Sequence, residues 1–352
     1  MSSLLEKTLA NIGPLDQTAI KQAKERLDNL TKPLESLGVL EDLAMQLAGI
    51  TGNPMPQVGD KVVLVMAGDH GVAAEKVTCF PQEVTQQQIT NFIRGGGGIS
   101  VMTRHVGARV ECVDVGIAAH LDYPGLIQKK VALGTKNMAK GPAMTREEAI
   151  RSLEVGIEVA EDQIRRGATL IGTGEMGIAN TTPSSAILAA FSGLPVRCIV
   201  GRGAGINDTM LRHKTAIIEQ SLAVNQPDTR DPIDVLSKIG GLEIGAIAGV
   251  MLAAAAHRIP VIIDGFISGA GALIASRIEP QSRNYMIASH NSVEPGHNIL
   301  LKLLDLEPML QMKMRLGEGT GAALAMNLVE ASCKMIHEMA TFAEAGVTKQ
   351  EI

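Results

Sequence analysis

From residue 61 onward, short β-branched runs alternate with longer segments of helical period. The runs are KVVLVMAG (61–68), RVECVDVG (109–116), ATLIGTG (168–174), RCIVGRG (197–203) and IPVIIDG (259–265). Between most of them lie ten or more residues of helical pattern. In TREEAIRSLEVGIEVAEDQIRRG, for example, Ile150, Leu153, Ile157 and Val159 fall on one side. This alternation predicts an α/β fold, a mostly parallel sheet with helices on both faces. Each run ends in glycine or a polar-plus-glycine turn, and open α/β sheets bind ligands outside those carboxyl ends. The first sixty residues predict helices instead, LDQTAIKQAKERLDNL and then PLESLGVLEDLAMQLAGI, broken at Pro33. GNPMPQVGD (52–60) is a linker and a domain boundary by composition. Beyond Pro308 the pattern is helical again, and GAALAMNLVEASCKMIHEMATFAEA predicts one long helix.

Composition narrows the core and the function. Apolar residues make up 45% of the 352, yet there are only five Phe, two Tyr and no Trp. The core must therefore be aliphatic. The net charge is -5 and no run of Lys or Arg forms a stripe, which argues against nucleic-acid binding. The most apolar stretch, Ile244 to Ile263, is interrupted by His257, Arg258 and Pro260. It predicts a buried helix followed by a central strand, not a membrane span. The N-terminus lacks a basic region followed by an apolar core, so a soluble, cytoplasmic protein is expected. Cys79, Cys112, Cys198 and Cys333 are widely spaced and read as small buried residues in a reducing compartment. No Cys/His cluster has metal spacing, so no metal is expected.

IGTGEMGIANTTPSSAILAAF is the richest stretch. Gly172, Gly174 and Gly177 have G-x-G-x-x-G spacing after a strand, Thr181 or Thr182 suits a helix N-cap, and Pro183 suits the first turn. A helix N-terminus behind such a turn is an anion site. NAD is one reading, but the next run carries no Asp or Glu for the ribose hydroxyls. A mononucleotide phosphate fits better, and a plain glycine turn is the unadorned alternative. Lys214 could meet a phosphate as a point charge, or be a solvated helix residue. Asp69 and His70 close the first run, with structural hydrogen bonding the default and ligand binding second. Asp264, Ser289, His290 and Ser292 could line a site, though no G-x-S-x-G elbow supports a hydrolase. Gly95–Gly98 is a helix break or a close-approach loop. Glu318, alone among Gly317, Gly319 and Gly321, is either a solvent-facing turn residue or a residue that reaches a substrate.

Several motifs together are not generic. GDHGV, GEMGIANTTP, INDTMLRHK, NQPDTRDPIDVLSKIGG, DGFIS and MRLGEGTGAALAM occur in this order. The chain resembles the nicotinate-nucleotide:dimethylbenzimidazole phosphoribosyltransferases over nearly its whole length. The resemblance implies a Rossmann-like sheet domain (59–305) beside a small helical domain made from both chain ends (1–58 and 306–352). It also implies transfer of 5-phosphoribose from nicotinate mononucleotide to an aromatic base in cobamide biosynthesis, without cofactor or metal, by a dimer. By the same resemblance Glu318 is the catalytic base and Glu175 the second carboxylate. Phosphoribose and nicotinate fall to Gly174, Gly177, Gly203, Lys214, Ser292 and Gly319, with the Gly201–Gly205 loop. The base pocket falls to Phe80, Gln88, Met176 and Met314.

Phe80 departs from the pattern, because a benzimidazole-using member of the family has a small polar residue there. Aromatic stacking could favour a smaller or less polar base. Benzimidazole, a phenolic base such as phenol or p-cresol, and adenine all stay open, as does a heterodimer with a similar chain. Two rivals remain. A dinucleotide-dependent oxidoreductase is countered by the missing acidic residue. A non-catalytic or weakly active half of a heterodimer is countered by the presence of both Glu175 and Glu318.

Overall fold

The computed structural model describes residues 3–348, so 1–2 and 349–352, the outermost residues of the expected helical unit, lie outside it. Helices α1 (Leu4–Leu9), α2 (Gln17–Leu27) and α3 (Val39–Thr51) precede the sheet. Then follow β1 (Asp60–Gly68), α4 (Glu83–Ile93), α5 (Gly98–His105), β2 (Arg109–Gly116), β3 (Leu126–Gln128), α6 (Arg146–Arg165) and β4 (Ala168–Met176). The next stretch is helical, with α7 (Thr181–Ser192), α8 (Asp208–Asn225), α9 (Pro232–Ile239) and α10 (Leu242–Ala256). The chain closes with β5 (Val261–Ile263), α11 (Phe266–Ile278), β6 (Met286–Ala288), α12 (Pro295–Leu304), α13 (Thr320–Glu338) and α14 (Phe342–Ala345).

The strands form one six-stranded sheet in the order β3-β2-β1-β4-β5-β6, and every pairing is parallel. The sheet is Rossmann-like, as expected, and this is the order of that fold. The chain winds outward from β1 to β3, returns to β4 beside β1, and winds outward again. The crevice between the carboxyl ends of β1 and β4 is therefore the topological switch point.

Strand β1 shows why both faces are covered. Val62, Leu64 and Met66 point into the core shared with α6 and α10. Val63, Val65 and Ala67 point the other way, against α3, α4, α5 and the first half of α13. Period-two alternation with both sides apolar is what a buried parallel strand requires. Leu242 to Ala255 of α10 are all buried, as expected of the apolar stretch. Among the described residues no helix is long and apolar enough to cross a membrane.

Four expectations are corrected. The run at 197–203 is no strand: after Pro195 the chain makes a 3-10 turn at Val196–Cys198 and then a loop. The place beside β4 belongs to β5, and Gly203, at φ +50°, turns the chain toward the start of α7. The helix expected from Pro33 begins only at Val39, behind Gly38 in the left-handed region. The long C-terminal helix breaks after Glu338, where Met339 is extended and Thr341 starts α14 with a capping box. The break is held because the Ala340 carbonyl accepts from the Thr31 N–H and Phe342 N–H donates to Asn29. Finally, Cys112 and Cys333 are buried, but Cys79 and Cys198 are exposed; all four are free thiols.

Candidate active site

A cavity of about 630 Å³ opens at the switch point, well within the range for small-molecule sites. Its walls come from the segments that follow β1, β4, β5 and β6, together with the 315–318 turn. Ten of the residues expected from the sequence line it: Phe80, Gln88, Glu175, Met176, Gly177, Gly203, Lys214, His290, Ser292 and Glu318.

Glu318 is buried, with 7% of its surface exposed, which excludes the solvent-facing alternative. Its backbone is left-handed at φ +63°, between Gly317 at +81° and Gly319 at +99°. A left-handed conformation costs a non-glycine residue on the order of 1–3 kcal/mol, and such strain gathers at functional sites. The surroundings hold it in place. Asp264, at the end of β5, accepts from the N–H groups of Gly321 (2.7 Å), Ala322 (3.0 Å) and Gly319 (3.2 Å). It thus caps the start of α13 from outside the helix. Asp264 therefore works beneath the site and not as a lining residue. Burial raises its own pKa, against the pull of His290 and these three N–H groups.

The Glu318 carboxylate accepts the Ile99 N–H at 3.1 Å, at the N-terminus of α5. The glycine run is thereby resolved as both of its alternatives. It ends α4 and starts α5, and a methyl group at Gly98 would stand 3.0 Å from Glu318 Oε2. Burial raises the Glu318 pKa, the Ile99 and Gly98 N–H groups oppose it, and the charge of Asp264 adds to it. A carboxylate raised by burial yet braced by donors is a better proton acceptor than an exposed one.

Glu175 ends β4. One oxygen accepts the Glu318 N–H at 3.1 Å and the other accepts from the Asn180 side chain. Burial pushes its pKa up to about 8, and Asp264 adds to the rise while the Glu318 N–H and Asn180 oppose it. Asn180, not Thr181 or Thr182, is the N-cap residue of α7, and it makes no cap bond because its amide is committed to Glu175.

The G-x-G-x-x-G spacing proves to be a packing motif. Gly172 and Gly174 lie inside β4, not in a turn. A methyl group at Gly174 would stand 2.3 Å from the Glu318 carbonyl oxygen, so glycine is needed for the 318 turn to approach the strand. This removes the dinucleotide loop, and with it Gly174 as a phosphate ligand. Gly319 and Met314 also lie off the lining.

The cavity is also lined by a buried cation and backbone donors, groups that could take an anion. Lys214 is not solvated: it is only 2% exposed and its Nζ donates to Thr181 Oγ1 at 2.7 Å. Burial pushes it down to about 8, with Glu294 opposing. Gly203 lies beside it, its N–H donating to Glu294 at 3.0 Å and its carbonyl accepting from Arg315 at 3.0 Å. Thr181, Glu294 and Arg315 were not singled out as ligands by the sequence. Ser292 N–H donates to His297 Nδ1 at 2.8 Å, and burial holds that imidazole neutral, near 3. His290 lines the cavity while Ser289 Oγ sits 3.0 Å from its Nδ1 and donates to the Asp264 carbonyl. The Asp69–His70 pair takes its structural reading. Asp69 accepts from Thr85 and Ala118, and His70 Nε2 lies 2.8 Å from Glu243.

Comparison with known proteins gives the family. The phosphoribosyltransferase family profile matches residues 12–347. The chain belongs to that family. The nicotinate-nucleotide–dimethylbenzimidazole phosphoribosyltransferase of Desulforamulus reducens is 58% identical over 349 residues, 99% of either chain. The Geobacter sulfurreducens enzyme of the same name is 56% identical over 348 residues, again 99% of each. The crystal structure of CobT from Thermus thermophilus superposes with a TM-score of 0.91 at 45% identity, covering 95% of this chain and 100% of that one. A phosphoribosyltransferase must hold a phosphate at one end and a reacting ribose carbon at the other. The Lys214–Gly203 groups and the Glu175–Glu318 pair both line the cavity.

Proposed function

We propose that the protein transfers 5-phosphoribose from nicotinate mononucleotide to an aromatic base, a step of cobamide biosynthesis. The products are the α-riboside 5′-phosphate and nicotinate. The carrying observation is the strained, buried Glu318 facing the switch-point cavity, with Glu175 bonded to its N–H.

The leaving group is already a pyridinium. Its bond to C1′ breaks with the electron pair going to nitrogen, so no acid is needed. The incoming base attacks C1′ from the opposite face, which inverts β to α, and gives its proton to Glu318. A positioned base of this kind contributes roughly 10²–10⁴-fold. Glu175 faces the positive charge of the pyridinium and of the ribosyl transition state. That charge draws the carboxyl toward its ionised form when substrate binds. Lys214, Thr181 and the backbone at Gly203 hold the phosphate. Gly177 lies beside the ribose, Ser292 takes the nicotinate carboxylate, and Phe80, Gln88 and Met176 border the base.

Phe80 is 47% exposed at the mouth, and Leu316, Met312 and Val293 are exposed as well. These apolar groups support assembly as a dimer of this chain closing over the base. The packing of α2, α3 and the second half of α13 around Ala23, Leu27, Ala48 and Ile336 supports a helical unit (1–58 and 306–352) beside the sheet unit (59–305). The test offers the protein nicotinate mononucleotide with equimolar dimethylbenzimidazole, phenol, p-cresol and adenine, and resolves products by mass. An α-riboside phosphate of at least one base is expected; none from any base overturns the reading.

A further inference from the structure

Glu294 is acidic where the proposed function needs a phosphate. Its carboxylate is 7% exposed and belongs to the cavity wall. One oxygen accepts the Gly203 N–H at 3.0 Å, while Oε2 is buried without a hydrogen-bond partner. Oε2 is packed against Gly201 so closely that a methyl group there would stand 1.8 Å from it. Among the described residues no ion pair within 4.0 Å includes Glu294, although Lys214 is close enough for its pKa to respond. Lys214 instead spends its hydrogen bond on Thr181 Oγ1. A buried, half-satisfied carboxylate is costly unless something compensates it. Here it holds the backbone N–H that an incoming anion would use.

We propose that Glu294 is a built-in competitor for the substrate phosphate: it fills the Gly203 cradle in the free protein, yields it when phosphate arrives, and retakes it when product leaves. The proposal rests on placing the phosphate at Lys214 and Gly203. Its use follows from the reaction. Substrate and product carry the same phosphate, so an anchor of full strength would hold both equally and slow release without aiding the chemical step. A carboxylate that competes for one donor and repels the dianion weakens the anchor for both. Glu294 is also the N-cap residue of α12, and its own N–H lies 3.4 Å from Ser292 Oγ. Its displacement is therefore tied to the loop that carries Ser292.

Binding of inorganic phosphate to the full chain, measured by calorimetry, tests this. Glu294→Gln removes the charge and keeps the shape; Glu294→Ala removes both. Each is expected to bind phosphate about tenfold more tightly or better, the weight of one charge-assisted hydrogen bond. In turnover, KM for nicotinate mononucleotide should fall and kcat should not rise. Unchanged or weaker phosphate binding in both variants overturns the proposal. If either fails to fold, Glu294→Asp replaces it: one methylene too short to hold the Gly203 N–H, it should still tighten binding, and no change overturns the proposal. Lys214→Met separates the two readings, because phosphate affinity that survives it refutes the placement of the phosphate itself.

Discussion

Glu318 is both strained and donor-braced, and this makes its substitution informative. Glu318→Gln keeps the shape and an acceptor for the Ile99 N–H but cannot take a proton. We expect kcat to fall by about 10²–10⁴-fold with binding of nicotinate mononucleotide nearly intact. Equilibrium binding beside single-turnover rates measures this, and loss of binding would make Glu318 a structural residue. The pKa shifts give a second prediction. Burial moves Glu175 up to about 8 and Glu318 upward, and moves Lys214 down to about 8. In the free protein Glu175 gains its charge as pH rises through that range, Glu318 gains its charge later than an exposed carboxyl would, and Lys214 loses its charge above about 8. kcat/KM should therefore climb from acid pH, peak in the mildly alkaline range and fall. Lys214→Arg, which stays charged, should remove the fall in a pH profile; an unchanged alkaline limb would clear Lys214 of the role.

At the scale of elements, Asp264 joins β5 to α13. Three N–H groups rest on one carboxylate. Asp264→Ala should destabilise the fold by about 1–3 kcal/mol and lower kcat more than it raises KM. Denaturant midpoints and steady-state kinetics test both parts; a KM effect alone would place Asp264 at the substrate. The elements were not equally legible in the sequence. The long runs at 61–68, 109–116 and 168–174 were legible because both faces are buried, so apolar residues are continuous. Three-residue strands such as Leu126–Gln128 and Met286–Ala288 leave too little pattern to see. The run at 197–203 has strand composition, yet β5 arrives later in the chain and occupies the sheet position. Glu318, Glu175 and Lys214 came from motif resemblance, since spacing alone left turn and solvent readings open. Glu294 lies in none of the quoted motifs, and Asn180, though inside GEMGIANTTP, gave no sign of a role: the bonds to Gly203 and Glu175 that define them appear only in the fold.

At the scale of the whole molecule, the cavity mouth decides which base enters. Phe80 narrows it beside Gln88 and Met176. Phe80→Ser should shift preference toward dimethylbenzimidazole over phenol in a two-base competition; unchanged relative kcat/KM would remove Phe80 from selectivity. The route from the site to the far end of the fold is a single helix. α13 runs from Thr320, next to Glu318, to Glu338, about 28 Å at 1.5 Å per residue. Its first turns lie on the sheet, and Met335 and Ile336 lie among α2 and α3. Any ligand that steadies the 318 turn therefore steadies a rod whose other end anchors the terminal helices. Amide hydrogen exchange should slow in Met335 and Ile336 when nicotinate mononucleotide binds, and Asp264→Ala should abolish that distant protection. The helical ends would then act as a gauge of occupancy, readable without any measurement at the site itself.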